Sequence, residues 1–434
     1  MSKTKIKSIY ARRVLDSRGL PTIEVEVTLN YNAQGRAIAP TGFSIGTGEA
    51  VDLRDKKIES SGFGVNHAIE NVNYKIATLL KGQDASEQTK IDNLLINLDA
   101  TADKSHLGSN AMIATSLAIA QASAAANKMP LWKYLYNKKN SSEELFLPLP
   151  QVQIFGGGVH ANKRVDVQSY MVSAIGAETF TQALDWSSNV FHAASNLMNK
   201  AGKFVGVADE GGLWPEFETN EEGLEFLLHA IEDTGLKPGR DMAISLDIAA
   251  SEFGNKDNYK LTCDGKLLSS DDLSGMLIDW IEKYPIISIE DPLAEGDKEG
   301  LVRFTWAVGK RVQVIGDNYL VTRASRIRNA ARYKTCNAVM IKPNQVGTLT
   351  ETKLALDAAR KAKFGTIIST RSGETEDLSV VHLAVGWGID QLKIGSITRG
   401  ERTAKWNEVL RISEKLENGG HISPKAKFPW HNKK

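Results

Sequence analysis

Three acids and two lysines stand at similar places along the second half of this sequence. Asp247 ends the apolar run Ile244-Ser245-Leu246, and Glu290 ends Ile286-Ile287-Ser288-Ile289. Asp317 ends Val312-Gln313-Val314-Ile315-Gly316, Lys342 follows Ala338-Val339-Met340-Ile341, and Lys393 lies within Gln391-Leu392-Lys393-Ile394. One acid ending a strand is ordinary. Acids and then a lysine on successive runs point to a site. Three carboxylates about 4 Å apart repel by roughly 4 kcal/mol per pair at an effective dielectric near 20. A hard divalent cation relieves that repulsion, and an all-oxygen ligand set favours Mg²⁺ over Zn²⁺. Positive charge and burial favour the neutral amine of Lys342. A neutral amine beside a metal takes a proton from a carbon next to a carboxylate while the metal holds the resulting dianion. The competing structural reading is a buried lysine–carboxylate ion pair.

Other groups surround these. Asp209-Glu210-Gly211-Gly212 sets two acids against a glycine pair. Gly156-Gly157-Gly158-Val159-His160 is a glycine loop carrying an imidazole, and Thr41–Gly48 is a second loop rich in hydroxyls. Arg371-Ser372-Gly373 follows the apolar run Thr366–Ser369, so a guanidinium and a hydroxyl suited to phosphate or carboxylate stand at its end.

Elements must hold these residues. After Pro150, short apolar runs alternate with amphipathic helical segments such as Ser270–Lys283 and Thr348–Lys363. Strands buried on both faces read as continuous apolar runs, and βα alternation predicts a parallel sheet. The length suits a (β/α)8 barrel, whose strand ends converge on one mouth. A doubly wound open sheet is the alternative, but neither G-x-G-x-x-G nor a Walker A motif is present. Before Pro150, the alternation of Ile23, Val25, Val27 and Leu29 predicts a half-buried strand over 22–30. A turn over 31–35 and a returning strand over 36–39 follow. Helical patterns cover 64–80, 87–98 and 109–127. These make an N-terminal α+β domain of residues 1–140 ahead of a barrel domain of residues 141–434, with the boundary in the polar stretch 137–144.

The chain has 434 residues, with 53 Lys+Arg against 52 Asp+Glu, a formal net charge of +1. That balance argues against a nucleic-acid or membrane-surface partner. Two cysteines, Cys263 and Cys336, allow neither a disulfide framework nor a multi-cysteine zinc site, which fits the cytoplasm. The first residues carry charge with no apolar stretch behind them, so no secretory signal is expected. The alanine-rich run 111–127 reads as a tightly packed helix rather than a membrane span.

Ordered motifs extend this reading. Asp16-Ser17-Arg18-Gly19-Leu20-Pro21-Thr22, Asp209-Glu210-Gly211-Gly212, Ser288-Ile289-Glu290-Asp291-Pro292, Ile341–Thr348 and Arg371–Asp377 stand in sequence. With them the chain resembles the enolase (phosphopyruvate hydratase) family over nearly its whole length. The resemblance implies a capping α+β domain on a modified barrel, a homodimer, and two Mg²⁺ ions per site. It implies Asp247, Glu290 and Asp317 as ligands of the first ion and Ser44 as a ligand of the second. Lys342 is then the general base and Glu210 the acid. Lys393 holds the substrate carboxylate, Arg371 and Ser372 hold the phosphate, and His160 and Gln168 complete the pocket.

Several positions depart from the family pattern. Ser169 stands where the family has a carboxylate, and Thr370 where it has a histidine. Gly156 replaces an asparagine, Asn318 replaces an acid, and the first loop carries Phe43 and Ile45. The metal ligands and base match, while groups around the leaving hydroxyl and phosphate differ. The expectation is therefore a Mg²⁺-dependent lyase that eliminates water from 2-phosphoglycerate or a close phospho- or phosphono-analogue, with Ser169 and Thr370 in the substrate pocket. Two alternatives are a specialised paralogue of phosphonate metabolism, making a carboxyphosphonoenolpyruvate-type product, and a non-catalytic homologue that keeps the fold.

Overall fold

Alternation decides the first sheet. The computed structural model describes residues 3–55, 62–138, 145–416, 420–423 and 428–432. Strand β2 (Pro21–Leu29) buries Ile23, Val25, Val27 and Leu29 completely, as its period-two pattern requires. It pairs antiparallel with β1 (Ile6–Leu15) on one side and β3 (Gln34–Ile38) on the other. The sequence reading anticipated a hairpin, and β1 makes it a three-stranded meander. Helices α1 (Asn66–Glu70) and α2 (Ala77–Leu80) are joined by a π-helical turn. Helices α3 (Gln88–Asp99), α4 (Ser109–Ala126) and α5 (Leu131–Lys138) complete the cap.

Helix α4 is the anticipated alanine-rich segment, buried along nearly its whole length. Its small side chains let β3 lie directly on its backbone. A Cβ on Gly35 would collide with the main chain at Ala118 and Ala122. Among the described residues, no helix is long and apolar enough to cross a membrane.

The expected boundary at 140/141 lies outside the described residues. Beyond it the chain forms β4 (Leu149–Gly156), β5 (Ser169–Ser173), α6 (Phe180–Lys200), α7 (Asn220–Asp233) and β6 (Ala243–Asp247). A small hairpin, β7 (Tyr259–Leu261) and β8 (Lys266–Leu268), precedes α8 (Ser270–Lys283). Then β9 (Ile286–Glu290), α9 (Lys298–Val308), β10 (Gln313–Gly316), α10 (Ala324–Tyr333), β11 (Ala338–Ile341) and α11 (Leu349–Lys361) alternate. The last units are β12 (Gly365–Ser369), α12 (Ser379–Trp387), β13 (Gln391–Gly395) and α13 (Gly400–Ser413).

Eight of these strands close into a barrel in the order β4-β5-β6-β9-β10-β11-β12-β13. The anticipated runs supply β6 and β9 to β13. The wholly parallel sheet is corrected, because β5 runs antiparallel to both β4 and β6. The β4–β5 connection carries only one short 3-10 turn, Gly158–Ala161. Without a crossover helix the next strand must return antiparallel. Strand β4 escaped the sequence reading because Pro150 and two glutamines interrupt its apolar pattern. Inside the barrel Gln151 and Gln153 are buried and paired. Gln151 donates to Gln391 Oε1 at 2.8 Å, and Gln391 donates to Gln313 Oε1 at 2.7 Å.

The cap is locked to the barrel by a buried carboxylate. Asp92 of α3 accepts from Ser116 Oγ at 2.7 Å and Gln88 Nε2 at 3.1 Å. It also accepts from the backbone N–H of Thr350 at 2.9 Å and its hydroxyl at 2.6 Å, at the start of α11. Burial pushes its carboxyl up from the ordinary value. Asp92→Ala strands these buried donors and is expected to lower the unfolding free energy by about 2–3 kcal/mol. A urea midpoint within error of the parent would show that the lock contributes nothing.

Candidate active site

Register brings the strand-end acids together. Asp247 of β6 and Glu290 of β9 are direct partners in a parallel pair. Ile315 of β10 is the partner of Glu290, and Asp317 follows two residues on, facing the same way. Lys342 follows β11, and Lys393 lies on β13 next to Ser369 of β12. Because β5 runs the other way, its first residue, not its last, reaches this mouth. Ser169 pairs with Asp247 on one side and Gly156 on the other.

The charges neutralise one another across the barrel. Lys393 Nζ donates to Asp247 Oδ2 and to Glu290 Oε2, each at 2.7 Å. Lys342 Nζ pairs with Asp317 Oδ2. Gln345 Nε2 donates to Asp317 Oδ1 at 3.1 Å, and Gln168 Nε2 to Asp247 Oδ2 at 3.0 Å. Burial works against the Lys393 ammonium, yet the charges of Asp247 and Glu290 raise its pKa above the usual lysine value. Burial, with the charge of Asp247 behind it, pushes Glu290 well above the ordinary carboxyl range. Burial would raise Asp317 too, but the charge and hydrogen bond of Lys342 hold it low. Three carboxyl groups thus face two lysine side chains across the mouth. Both sequence-level readings of these residues hold at once: they form a buried ion-pair network, and they stand at a barrel mouth.

The acid on the glycine-pair turn is also inside. Glu210 Oε1 lies 3.9 Å from His160 Nε2, and its Oε2 accepts from Gln153 Nε2 at 3.1 Å. Burial would raise its carboxyl, but His160, Arg402, Lys393 and Lys342 hold it below the ordinary value. Among the described residues, His160 Nδ1 and Gln168 Oε1 are buried with no hydrogen-bond partner. Buried polar atoms of that kind mark where a ligand's polar groups belong.

Three of the expected site residues have hydrogen-bond partners of their own within the protein. Ser44 Oγ donates to Glu252 Oε1 at 2.7 Å and accepts from Asn318 Nδ2 at 3.3 Å, so it touches none of the three acids. Thr370 Oγ1 donates to the Ile394 carbonyl at 3.0 Å and accepts from Arg402 Nη1 at 2.9 Å. Ser372 Oγ accepts from Arg18 Nη1 and from the Phe43 backbone N–H, both at 3.2 Å. Among the described residues, no three carboxylate, imidazole or thiolate groups are already gathered around one metal position.

Arg371 is held by the first loop. Its Nη1 donates to Glu49 Oε2 at 2.9 Å and its Nη2 to the Ser44 carbonyl at 2.9 Å. Fully buried Arg402 braces the same segment, donating to the carbonyls of Arg371 at 2.9 Å and Ser372 at 2.7 Å. Glu49, Gln153, Gln345 and Arg402 were not singled out from the sequence. Gln345 lies inside a quoted motif, but nothing in spacing or composition marks the other three. With the loop docked, the remaining cavity is about 30 Å³, the scale of one water. Larger cavities of about 640 and 650 Å³ lie elsewhere and contain none of these groups.

The loop shuts so closely because Gly42 has no side chain. A Cβ there would fall on the Arg371 guanidinium. Gly42→Ala is expected to raise proteolytic cleavage within residues 41–48 on the order of tenfold, the shift produced by ~1.4 kcal/mol of lost docking energy. Unchanged cleavage would mean that this contact does not hold the loop.

The chain is similar to known proteins over both halves. A family model described as "Enolase, N-terminal domain" matches residues 6–135, and one described as "Enolase, C-terminal TIM barrel domain" matches residues 144–428. "Enolase 1" of Desulfitobacterium hafniense (strain Y51) is 46% identical over 431 residues, covering 99% of this chain and 98% of the relative. "Enolase 2" of Pseudomonas syringae pv. syringae (strain B728a) is 44% identical over 416 residues, covering 95% and 96%.

Proposed function

The chain belongs to the enolase family, and we propose that its barrel mouth removes water from 2-phosphoglycerate to give the enolpyruvate phosphate. The observation that carries this reading is the set of three buried carboxylates on adjacent strand ends, paired to Lys342 and Lys393. No observation favours the phosphonate-directed alternative. The non-catalytic alternative leaves that buried set without a purpose.

The residues present fit the magnesium that the family uses. Asp247, Glu290 and Asp317 offer hard oxygen donors in register, and burial, ahead of the charge of Asp247, pushes the Glu290 carboxyl up. These three would hold the ion, which when bound supplies Lewis-acid stabilisation of a substrate carboxylate that has become an enediolate. Ser44 belongs to a second site in this proposal.

The chain's own groups carry the protons. Lys342 Nζ, as the free amine once it has left Asp317 and passed its own proton to solvent, takes the proton from the carbon beside the carboxylate. The freed electron pair becomes the carbon–carbon double bond as hydroxide leaves the neighbouring carbon. Glu210 protonates that hydroxide, so water departs, and both residues then reset with solvent. In the ligand-free mouth the surrounding cations hold Glu210 ionised. A substrate carrying a carboxylate and a phosphate offsets those cations and favours proton uptake by Glu210. Lys393 and Arg371 exchange their present carboxylate partners for the substrate's carboxylate and phosphate. His160 and Gln168 offer their unpartnered atoms to the hydroxyl region, where Ser169 and Thr370 line the wall. With a cavity of about 30 Å³, the loop carrying Ser44 must open for entry and reclose to exclude water.

Assembly as a homodimer and a cytoplasmic location belong to the same proposal. Cys263 and Cys336 are free thiols, and burial pushes them up to about 11 and about 12. Incubation with Mg²⁺ and 2-phosphoglycerate is expected to generate the ultraviolet absorbance of the enol product and to stop on chelation. Lys342→Ala is expected to reduce kcat on the order of 10²–10⁴-fold. Absence of product from the parent protein would overturn the reading.

A further inference from the structure

One glutamine inside the barrel touches both the acid and the serine beside it. Gln153 of β4 is buried, and its single amide makes three hydrogen bonds. Nε2 donates to Ser169 Oγ at 2.8 Å and to Glu210 Oε2 at 3.1 Å. Oε1 accepts the backbone N–H of Gly212 at 3.2 Å, on the same turn that carries Glu210. Two glycines cut the slot for this amide. A Cβ on Gly212 would come within 2.7 Å of Gln153 Oε1, and one on Gly156 within 3.1 Å. The Gly212 donor fixes which end of the amide is oxygen, so both N–H groups must point toward Ser169 and Glu210.

The geometry points to Gln153 as the positioning residue that makes Glu210 an acid through one chosen oxygen. An N–H donated to Oε2 favours protonation of the other oxygen, because the carbonyl oxygen of a carboxyl is a better acceptor than its hydroxyl oxygen. When the carboxyl is protonated, the proton sits on Oε1, the oxygen nearer His160 Nε2. The amide is neutral, so it holds Oε2 in both protonation states and does not compete for the charge. Gln153 touches no reacting atom and acts only through Glu210. This inference rests on Glu210 being the acid of the proposed dehydration.

The two halves of the reaction separate the possibilities. Exchange of the substrate's α-proton with deuterated solvent reports Lys342, whereas net dehydration also needs Glu210. In Gln153→Leu, kcat for dehydration is expected to fall roughly 10–100-fold, as loss of one hydrogen bond to a charged group implies. KM and α-proton exchange are expected to stay within about threefold of the parent, since neither measures the acid step. Introduced into Glu210→Gln, the same substitution is expected to cost nothing further, because the group it positions is gone. Gln153→Met, of similar length and also without donors, is expected to repeat the pattern and serves if the leucine variant does not fold. Parallel loss of exchange and dehydration, no loss of either, or an additive loss in the double variant would each overturn the inference. If Glu210→Gln dehydrates at the parental rate, the acid assignment falls and the inference with it. If Glu210→Gln is inactive while Gln153→Leu behaves as the parent, the inference alone falls.

Discussion

The barrel mouth is governed by the need to neutralise buried charge. Asp247, Glu290 and Asp317 are almost fully buried, and so is Lys393. Removing such groups from water costs several kcal/mol each unless partners replace the solvent. Lys393 meets that need from the opposite side of the barrel, where its one ammonium reaches β6 and β9 together. Lys342 does the same for Asp317. Burial still pushes the Glu290 carboxyl up, although Lys393 reaches it.

The cap serves the mouth from outside. Arg18 pairs with Asp16 at 3.0 Å, stacks on the Phe43 ring at 3.7 Å, and donates to Ser372 Oγ. The loop backbone then lies over Arg371, while Thr47 binds Glu295 at the far side. The same contacts engage the Arg371 guanidinium and the Ser372 hydroxyl, and the cavity left beneath the loop is about 30 Å³. The barrel offers rigidity on the other side, where Arg402 holds the Arg371–Ser372 backbone by its carbonyls.

The departures at Ser169 and Thr370 look different once their neighbours are known. Each hydroxyl has been absorbed into a buried polar network. Ser169 accepts from Gln153, and Thr370 bridges Arg402 and the Ile394 carbonyl. Such networks are stable only when every member is satisfied. Substitutions at these two positions therefore act through Glu210 and through the Arg371 segment, as well as through any direct contact with ligand.

Local pattern alone was enough for much of this protein. Continuous apolar runs ending in Asp247, Glu290 and Asp317 marked β6, β9 and β10, because strands buried on both faces have no polar alternation. Period-two burial marked β2, and the motifs from Asp16 to Asp377 placed the chain among its relatives. Strand β4 was hidden because its glutamines are buried in the barrel and find partners far away in the chain, Gln151 on Gln391 and Gln153 on Ser169 and Glu210, which no local window contains. The reversal of β5 depended on a connection that lacks a crossover helix. Only the closed barrel could decide which charges pair, since Lys393 lies 146 residues from Asp247 and meets it across the interior. The same holds for Glu49 on Arg371 and Gln153 on Glu210. Residue type and periodicity are properties of neighbouring positions, whereas neutralisation of a buried charge is a property of whichever groups the fold brings within hydrogen-bond reach.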